Sequence, residues 1–423
     1  MIRVFASSWP LFLGLLLLMI GNGVQGTLLG IRGGIEGFST FQMSVVMSGY
    51  FVGFLFGSQI APELIRRVGH VRVFAALGSL ISAVMILYAA LPDWMIWTGL
   101  RILIGFSFSG VYVTAESWLN NTSTNETRGQ TLSLYMIVQV VGIISAQGLI
   151  NLADPAGYLL FVIPSVLVSL AFTPILLSAS PAPVFGTAKR LSFKALYDIS
   201  PLGCVGMFLM GGVFAAMFGM AAVWGAQAGL SVRDISIFVA AIYIGGLLFQ
   251  YPIGWLSDRM DRRRLIMFVA AFGTLGTLVA VVFNPGFVVL LGVAVVIGGV
   301  ANPLYSLLLA YTNDYLQADD MAAASGGLMF INGVGAIVGP LAIGWLMSLI
   351  GPKGFFLYIA MLTGGLTLYA IWRMRRRAVV VVGEASAYTA MTQAASIVAM
   401  EPVFEAAHEQ EEAGDTPGAA AAR

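Results

Sequence analysis

Gly254-Trp255-Leu256-Ser257-Asp258-Arg259-Met260-Asp261-Arg262-Arg263-Arg264 puts six charged residues into eleven, in a chain that is only 10% charged. It is flanked by two apolar runs, Ile235–Ile253 and Leu265–Phe283. A run of about 20 apolar residues spans a bilayer as a helix. The stretch therefore reads as a tight, charged turn between two membrane helices. Arginines collect in cytoplasmic loops, which accounts for Arg259, Arg262, Arg263 and Arg264. It does not account for Asp258 and Asp261, which add nothing to a basic anchor.

The rest of the chain fits that reading. Of 423 residues, 59% are hydrophobic and the mean hydropathy is +0.90. An ordinary globular domain is about 45–50% apolar and about 25% charged, so so much apolar surface needs lipid to cover it. A net charge of +1 gives no footing for nucleic acid. The single cysteine, Cys204, permits neither an internal disulfide nor a thiolate cluster. Of the two histidines, His70 is expected in a loop and His408 in the tail, away from any intramembrane site. No cofactor or metal is expected, and no phosphate-binding Gly-x-x-x-x-Gly-Lys-Ser/Thr loop occurs. The chain is read as a non-enzyme.

Twelve spans are expected, over residues 9–30, 40–65, 72–91, 94–118, 130–152, 157–178, 201–228, 234–255, 264–284, 286–312, 322–349 and 354–373. The first continues beyond Met1–Ile20 without a small-x-small cleavage site and reads as an uncleaved span. An even count puts both termini on one side. That side carries Arg66, Arg67, Arg72, Arg128 and the arginines of 259–264 and 373–377. The other carries only Arg32, Arg233 and Lys353, so both termini are expected in the cytoplasm.

A shift of 192 residues lays Gly53 on Gly245, Leu64 on Leu256, Arg67 on Arg259 and Arg72 on Arg264. A shift of 193 lays Met136, Gln139, Val141 and Gly142 on Met329, Asn332, Val334 and Gly335. Two near-equal shifts indicate a parallel repeat: a six-helix bundle over 1–178, a cytoplasmic linker over 179–200 and a second bundle over 201–377. The remainder, 378–423, is alanine-rich and acidic and reads as a disordered cytoplasmic tail.

Gly254, Leu256, Asp258, Arg259, Arg262 and Arg263 resemble the signature loop of the major facilitator superfamily, Gly-x-Leu-x-Asp-Arg-x-Gly-Arg-Arg/Lys, with Asp261 in place of its second glycine. Leu100-Arg101-x-x-x-Gly105 is similar to the superfamily's fourth-span motif, and Ala115-Glu116-Ser117-Trp118-Leu119-Asn120 resembles its bacterial YcaD-like branch. The implied fold is all-α and integral to the membrane, with twelve transmembrane helices in two pseudo-symmetric six-helix bundles. The implied function is secondary active transport of a small solute by alternating access in the bacterial inner membrane. Protons are a candidate coupling ion, and a monomer in the lipid bilayer is expected. The alternative is a non-transporting sensor or scaffold on the same fold, since fold does not dictate function. Span five reads Gly142-Ile-Ile-Ser-Ala-Gln147-Gly148, without the Gly-Pro pair of the family's antiporters.

In the resembled family spans one, four, seven and ten line a central cavity. Here they offer Asn22, Gln25, Arg101, Tyr112, Trp224, Asn302 and Tyr305, and the repeat adds Gln139 and Asn332. Buried polar groups in lipid face the protein interior. For Asn22, Gln25 and Asn302, hydrogen bonding between helices is the alternative to lining a cavity. Met207, Met210, Met217 and Met220 form either packing or a flexible apolar wall. Arg101 is assigned to coupling, with snorkelling toward the surface as the alternative. Glu116 is either a proton site or the partner of Arg128.

The cytoplasmic gate is expected from Arg66, Arg67, Arg128, Asp258, Arg259, Arg262, Asp319 and Asp320. Asp258 should cap span five near Gly129–Thr131, with Arg128 beside it, because helix starts favour carboxylates. The first-half loop has Arg66 where the second has Asp258, so it is expected to pair instead with Asp319-Asp320 at the start of span eleven.

Overall fold

The computed structural model describes residues 2–122, 125–176, 192–376, 388 and 391, with the side chains of 2–8, 121–129, 174–176, 318 and 319 left aside. Among them the regular structure is entirely helical. The N-terminal half holds α1 (Ile2–Ile35), α2 (Thr40–Val68), α3 (His70–Ala90), α4 (Trp94–Thr122), α5 (Asn125–Leu149) and α6 (Leu159–Leu176). A short helix, α7 (Phe193–Ile199), precedes the C-terminal half. There α8 (Pro201–Ala215) and α9 (Ala221–Gln227) make one span, joined by a π-helical turn at Ala216–Met220. The remaining spans are α10 (Val232–Ser257), α11 (Arg262–Phe283), α12 (Phe287–Asn313), α13 (Ala318–Ile350) and α14 (Lys353–Met374). Among the described residues eleven helical spans are long and apolar enough to cross a bilayer, and α6 is a shorter apolar helix.

The repeat seen in the sequence is physical. In the first half Gly53 of α2 lies against the Ile102 carbonyl of α4, while Gly105 of α4 lies against the Tyr50 carbonyl of α2. In the second half Gly245 of α10 meets the Val295 carbonyl of α12, and Gly298 of α12 meets the Ile242 carbonyl of α10. A Cβ at any of the four would collide with backbone, so only glycine permits this approach. Four glycines at the same offsets make the tightest helix pair of each half.

The expected turn over 254–264 is formed, and the substituted Asp261 explains itself. It is the N-cap of α11, with φ −57°, and its Oδ1 accepts the Arg263 N–H at 2.9 Å. A capping carboxylate replaces a glycine that this backbone does not need. One expectation is corrected: His70 does not lie in a loop. It is the first residue of α3, buried, with Nε2 2.9 Å from Ser117 Oγ. The adjoining Gly69, at φ +86°, turns the chain sharply enough for the helix to start one residue later.

The halves meet at the arginine-poor end. Gly30 of α1 packs on Ala222 and Val223 of α9, and the Ser48 hydroxyl of α2 donates to the Ile337 carbonyl of α13 at 2.6 Å. Nearer that end, Gly344 of α13 sits on Ser44 and Thr40 of α2.

Candidate functional site between the halves

Arg101 is the centre of a polar network inside the first bundle. It is fully buried. Its Nη1 donates to Gln25 Oε1 at 2.8 Å, its Nη2 lies 2.7 Å from the Met47 sulfur, and its Cζ is 5.2 Å from the Tyr50 ring centre. Gln25 Nε2 reaches the Tyr88 hydroxyl at 3.4 Å, and Asn22 Nδ2 donates to the Tyr112 hydroxyl at 3.0 Å. Among the described residues no carboxylate is within ion-pair distance of Arg101, and its Nε has no hydrogen-bond partner. A cation held in lipid by amide oxygen, sulfur and an aromatic face is incompletely compensated. It has not snorkelled to the surface.

The network reaches the other half through Tyr50 and through Met47, which packs on Gly219. Tyr50 lies 5.0 Å, centre to centre, from Phe218. Phe218 belongs to the π-helical turn of the seventh span, a distortion that often marks functional positions. Beside it is a small cavity between the halves, lined by Gly26, Thr27, Gln147, Met217, Phe218 and Tyr243 among others. Thr27 donates to Gln147 Oε1 there at 3.1 Å. Of the four methionines of the seventh span, Met217 reaches this cavity.

A second cluster lies closer to the arginine-rich end. Tyr135 of α5 donates to Glu116 Oε1 at 2.7 Å; the side chain of Arg128, the other partner weighed for Glu116, lies outside the described residues. Tyr305 of α12, expected to line the cavity from the opposite half, is buried.

Other expected cavity residues are placed within a bundle. Trp224 sits in an aromatic cluster with Phe238 at 4.6 Å, Phe356 at 4.9 Å and Phe355 at 5.5 Å. Asn332 donates to the Met207 carbonyl at 3.0 Å, fastening α13 to α8. Asn302 packs on Gly246 between α12 and α10, and Gln139 is buried on α5. Sequence reasoning missed Tyr50, Tyr88, Thr27 and Tyr243, because a tyrosine or threonine in a span carries no signal until its neighbour is known. Gln147, a lone amide in an apolar span, did carry one.

At the arginine-rich end the loops differ. Arg262 donates to Ser257 Oγ at 3.1 Å and to the Ala310 carbonyl at 3.3 Å, and it pairs with Asp314 at the end of α12. Asp258 lies 3.9 Å from Arg262, and Arg259 stacks on Trp255 at 4.2 Å. Asp258 is therefore engaged within its own loop. Arg66 and Arg67 both pair with Glu63, each at 2.6 Å, rather than with Asp320; the Asp319 side chain lies outside the described residues.

The comparisons agree with this architecture. The family profile described as Major Facilitator Superfamily matches residues 202–406, and that described as Sugar (and other) transporter matches residues 15–178. The chain belongs to the major facilitator superfamily. An MFS-type transporter, YcaD, from Escherichia fergusonii is 27% identical over 358 residues, covering 82% of this chain and 90% of the relative. An MFS-type transporter of Yersinia pestis is 27% identical over 372 residues, covering 84% and 93%. The crystal structure of the nucleoside transporter NupG superposes with a TM-score of 0.72 at 15% identity, over 86% of this chain and 99% of that one. A bacterial homolog of the human lysosomal transporter Spinster, in an inward-facing and unoccupied conformation, gives 0.67 at 13% identity, over 94% and 97%. These structures share the fold of this multi-pass membrane transporter.

Proposed function

We propose that this protein is a secondary active transporter that moves a small solute by alternating access, with the arginine-rich end and both termini in the cytoplasm. The sidedness rests on the basic residues of 259–264 and 373–377 against Arg32, Arg233 and Lys353 opposite. On that orientation the contacts between halves seal the external side, so the conformation is inward-facing.

The observation that carries the reading is Arg101. It is a buried cation with no carboxylate beside it among the described residues, one tyrosine ring away from the seam between the halves. Parting the seam would separate Tyr50 from Phe218 and change the surroundings of the guanidinium. A cation whose solvation depends on which side is open couples charge to conformation. Arg101 also suits a cargo that is neutral or carries one negative charge. The Arg66/Arg67–Asp319/Asp320 bridge belongs to the outward-facing state, in which these arginines exchange Glu63 for the start of α13. Coupling to protons would run through Glu116 and Tyr135.

The test begins with a metabolite panel against the purified protein, the cargo being the compound that raises its melting temperature. Bound ligand at about 100 times its dissociation constant adds about 2.7 kcal/mol. Flux of that compound into proteoliposomes should be abolished or uncoupled from the ion gradient in Arg101→Ala, with the protein still folded. Unchanged coupled flux in Arg101→Ala would refute the role.

A further inference from the structure

Two residues beyond the last span, Tyr388 and Met391, are packed on the C-terminal half. The Met391 side chain is only 3% exposed. Its backbone N–H donates to Ser306 Oγ at 3.0 Å, and the same hydroxyl lies 3.3 Å from the Met391 carbonyl. Gln250 Nε2 donates to Ser306 Oγ at 3.1 Å. The Tyr388 ring covers Gly254, where an added Cβ would lie 2.7 Å from Cδ1 and Cε1. Ser306 belongs to α12, and Gln250 and Gly254 belong to α10. Tyr388 and Met391 therefore lie in the groove between these two helices, on the arginine-rich side of the Gly245–Gly298 crossing.

A main-chain amide needs a hydrogen-bonding partner wherever water is excluded. Here one buried hydroxyl, oriented by an amide side chain, serves both polar groups of residue 391. That is recognition of peptide backbone, with the Met391 side chain as apolar anchor and glycine leaving room for an aromatic ring. Charge favours the same occupant. Residues 379–423 carry seven carboxylates and no lysine or arginine before Arg423, and the nearby loop carries Arg259, Arg262, Arg263 and Arg264. Ser306 directly follows Tyr305, which is only 1% exposed with Tyr388 and Met391 in place. With the halves meeting at the arginine-poor end, Tyr388 on Gly254 stands on the arginine-rich side of Tyr305.

We propose that the α10–α12 groove is a binding site for the chain's own C-terminal segment, and that the segment docked through Tyr388 and Met391 obstructs the route from the arginine-rich end to the central cavity. Its consequence for flux rests on the transport reading; the docking does not, so it is tested without cargo. In a Cys204→Ser background, Tyr305→Cys reports access to a small charged thiol reagent in the purified full-length protein. Ending the chain at Arg377 should raise the labelling rate about tenfold, equivalent to losing about 1.4 kcal/mol of docking. Ser306→Ala and Met391→Glu in the full chain should move it the same way, independently of whether the shortened protein folds. A synthetic peptide of residues 384–396 should slow labelling of the shortened protein, and a peptide with both Tyr388→Ala and Met391→Ala should not. Equal labelling rates in the full-length, shortened and Ser306→Ala proteins overturn the proposal and leave the transport reading standing.

Discussion

The loop between α2 and α3 and the loop between α10 and α11 occupy equivalent places in the two halves, yet they are fastened differently. In the second, Arg262 and Asp314 are 4% and 5% exposed and tie the loop to the end of α12. In the first, Arg66 and Arg67 are 61% and 71% exposed and tie only to Glu63, a turn earlier on their own helix. The repeat offset of 192 places His70 where the second half has Arg262. His70 also reaches the equivalent span, through a hydrogen bond to Ser117 of α4. Duplication preserved the docking of loop onto span and changed its strength. One loop is latched to its bundle by a buried ion pair, while the other holds its arginines exposed on their own helix.

Breaking the strong latch should have the largest effect. Arg262→Ala removes the guanidinium facing a buried carboxylate, a loss of about 3–5 kcal/mol. Thermal unfolding in detergent should show it, and Arg262→Ala with Asp314→Leu should recover part of the stability. A double variant as unstable as the single would mean that packing, not charge, holds the loop.

The cap of α11 should matter less. Asp261→Ala should cost about 0.5–2 kcal/mol. Burial alone would raise the Asp261 pKa, but its hydrogen bonds from Arg263 outweigh that and hold it below the ordinary aspartate value. The folded-state pKa is thus the lower one, so the contribution is complete above the unfolded value and is lost as pH falls through the folded value. The stability gap between wild type and Asp261→Ala should be widest near neutral pH and close on acidification.

The smallest effect is expected in the first loop. Arg66→Ala with Arg67→Ala should leave the melting temperature unchanged, because exposed side chains on one helix turn hold nothing else in place. Conformation is the sharper readout. Arg66→Asp should bias the carrier inward, and adding Asp320→Arg should partly reverse it, as judged by cysteine access from each side. Strict additivity of the two changes would dissolve the gate and leave the comparison as one of stability alone.

The membrane class, the halves and the signature turn were legible in the sequence. Lipid demands long apolar runs, and a duplicated bundle keeps its glycines in register, as Gly53 and Gly245 do. Arg101 and Glu116 were legible too, because an ionisable side chain in a span is rare enough to stand out. Their partners were not. Nothing in the chain order links Arg101 to Tyr50 and Gln25, Glu116 to Tyr135, or Arg262 to Asp314, 52 positions away. The choice of Asp320 for Arg66 and Arg67 followed charge alone, whereas Glu63 sits where the helix brings it.

By itself, the sequence determined that this chain crosses a membrane repeatedly, as two related halves with their arginines at one end. Hydropathy and charge act on each segment locally, so order along the chain is enough to read them. Only the tertiary structure decided which end the halves close, which ring joins Arg101 to the seam, and where Tyr388 and Met391 rest. Those depend on pairwise contacts between spans remote in sequence, whose short-range packing and hydrogen bonding leave no periodic trace along the chain.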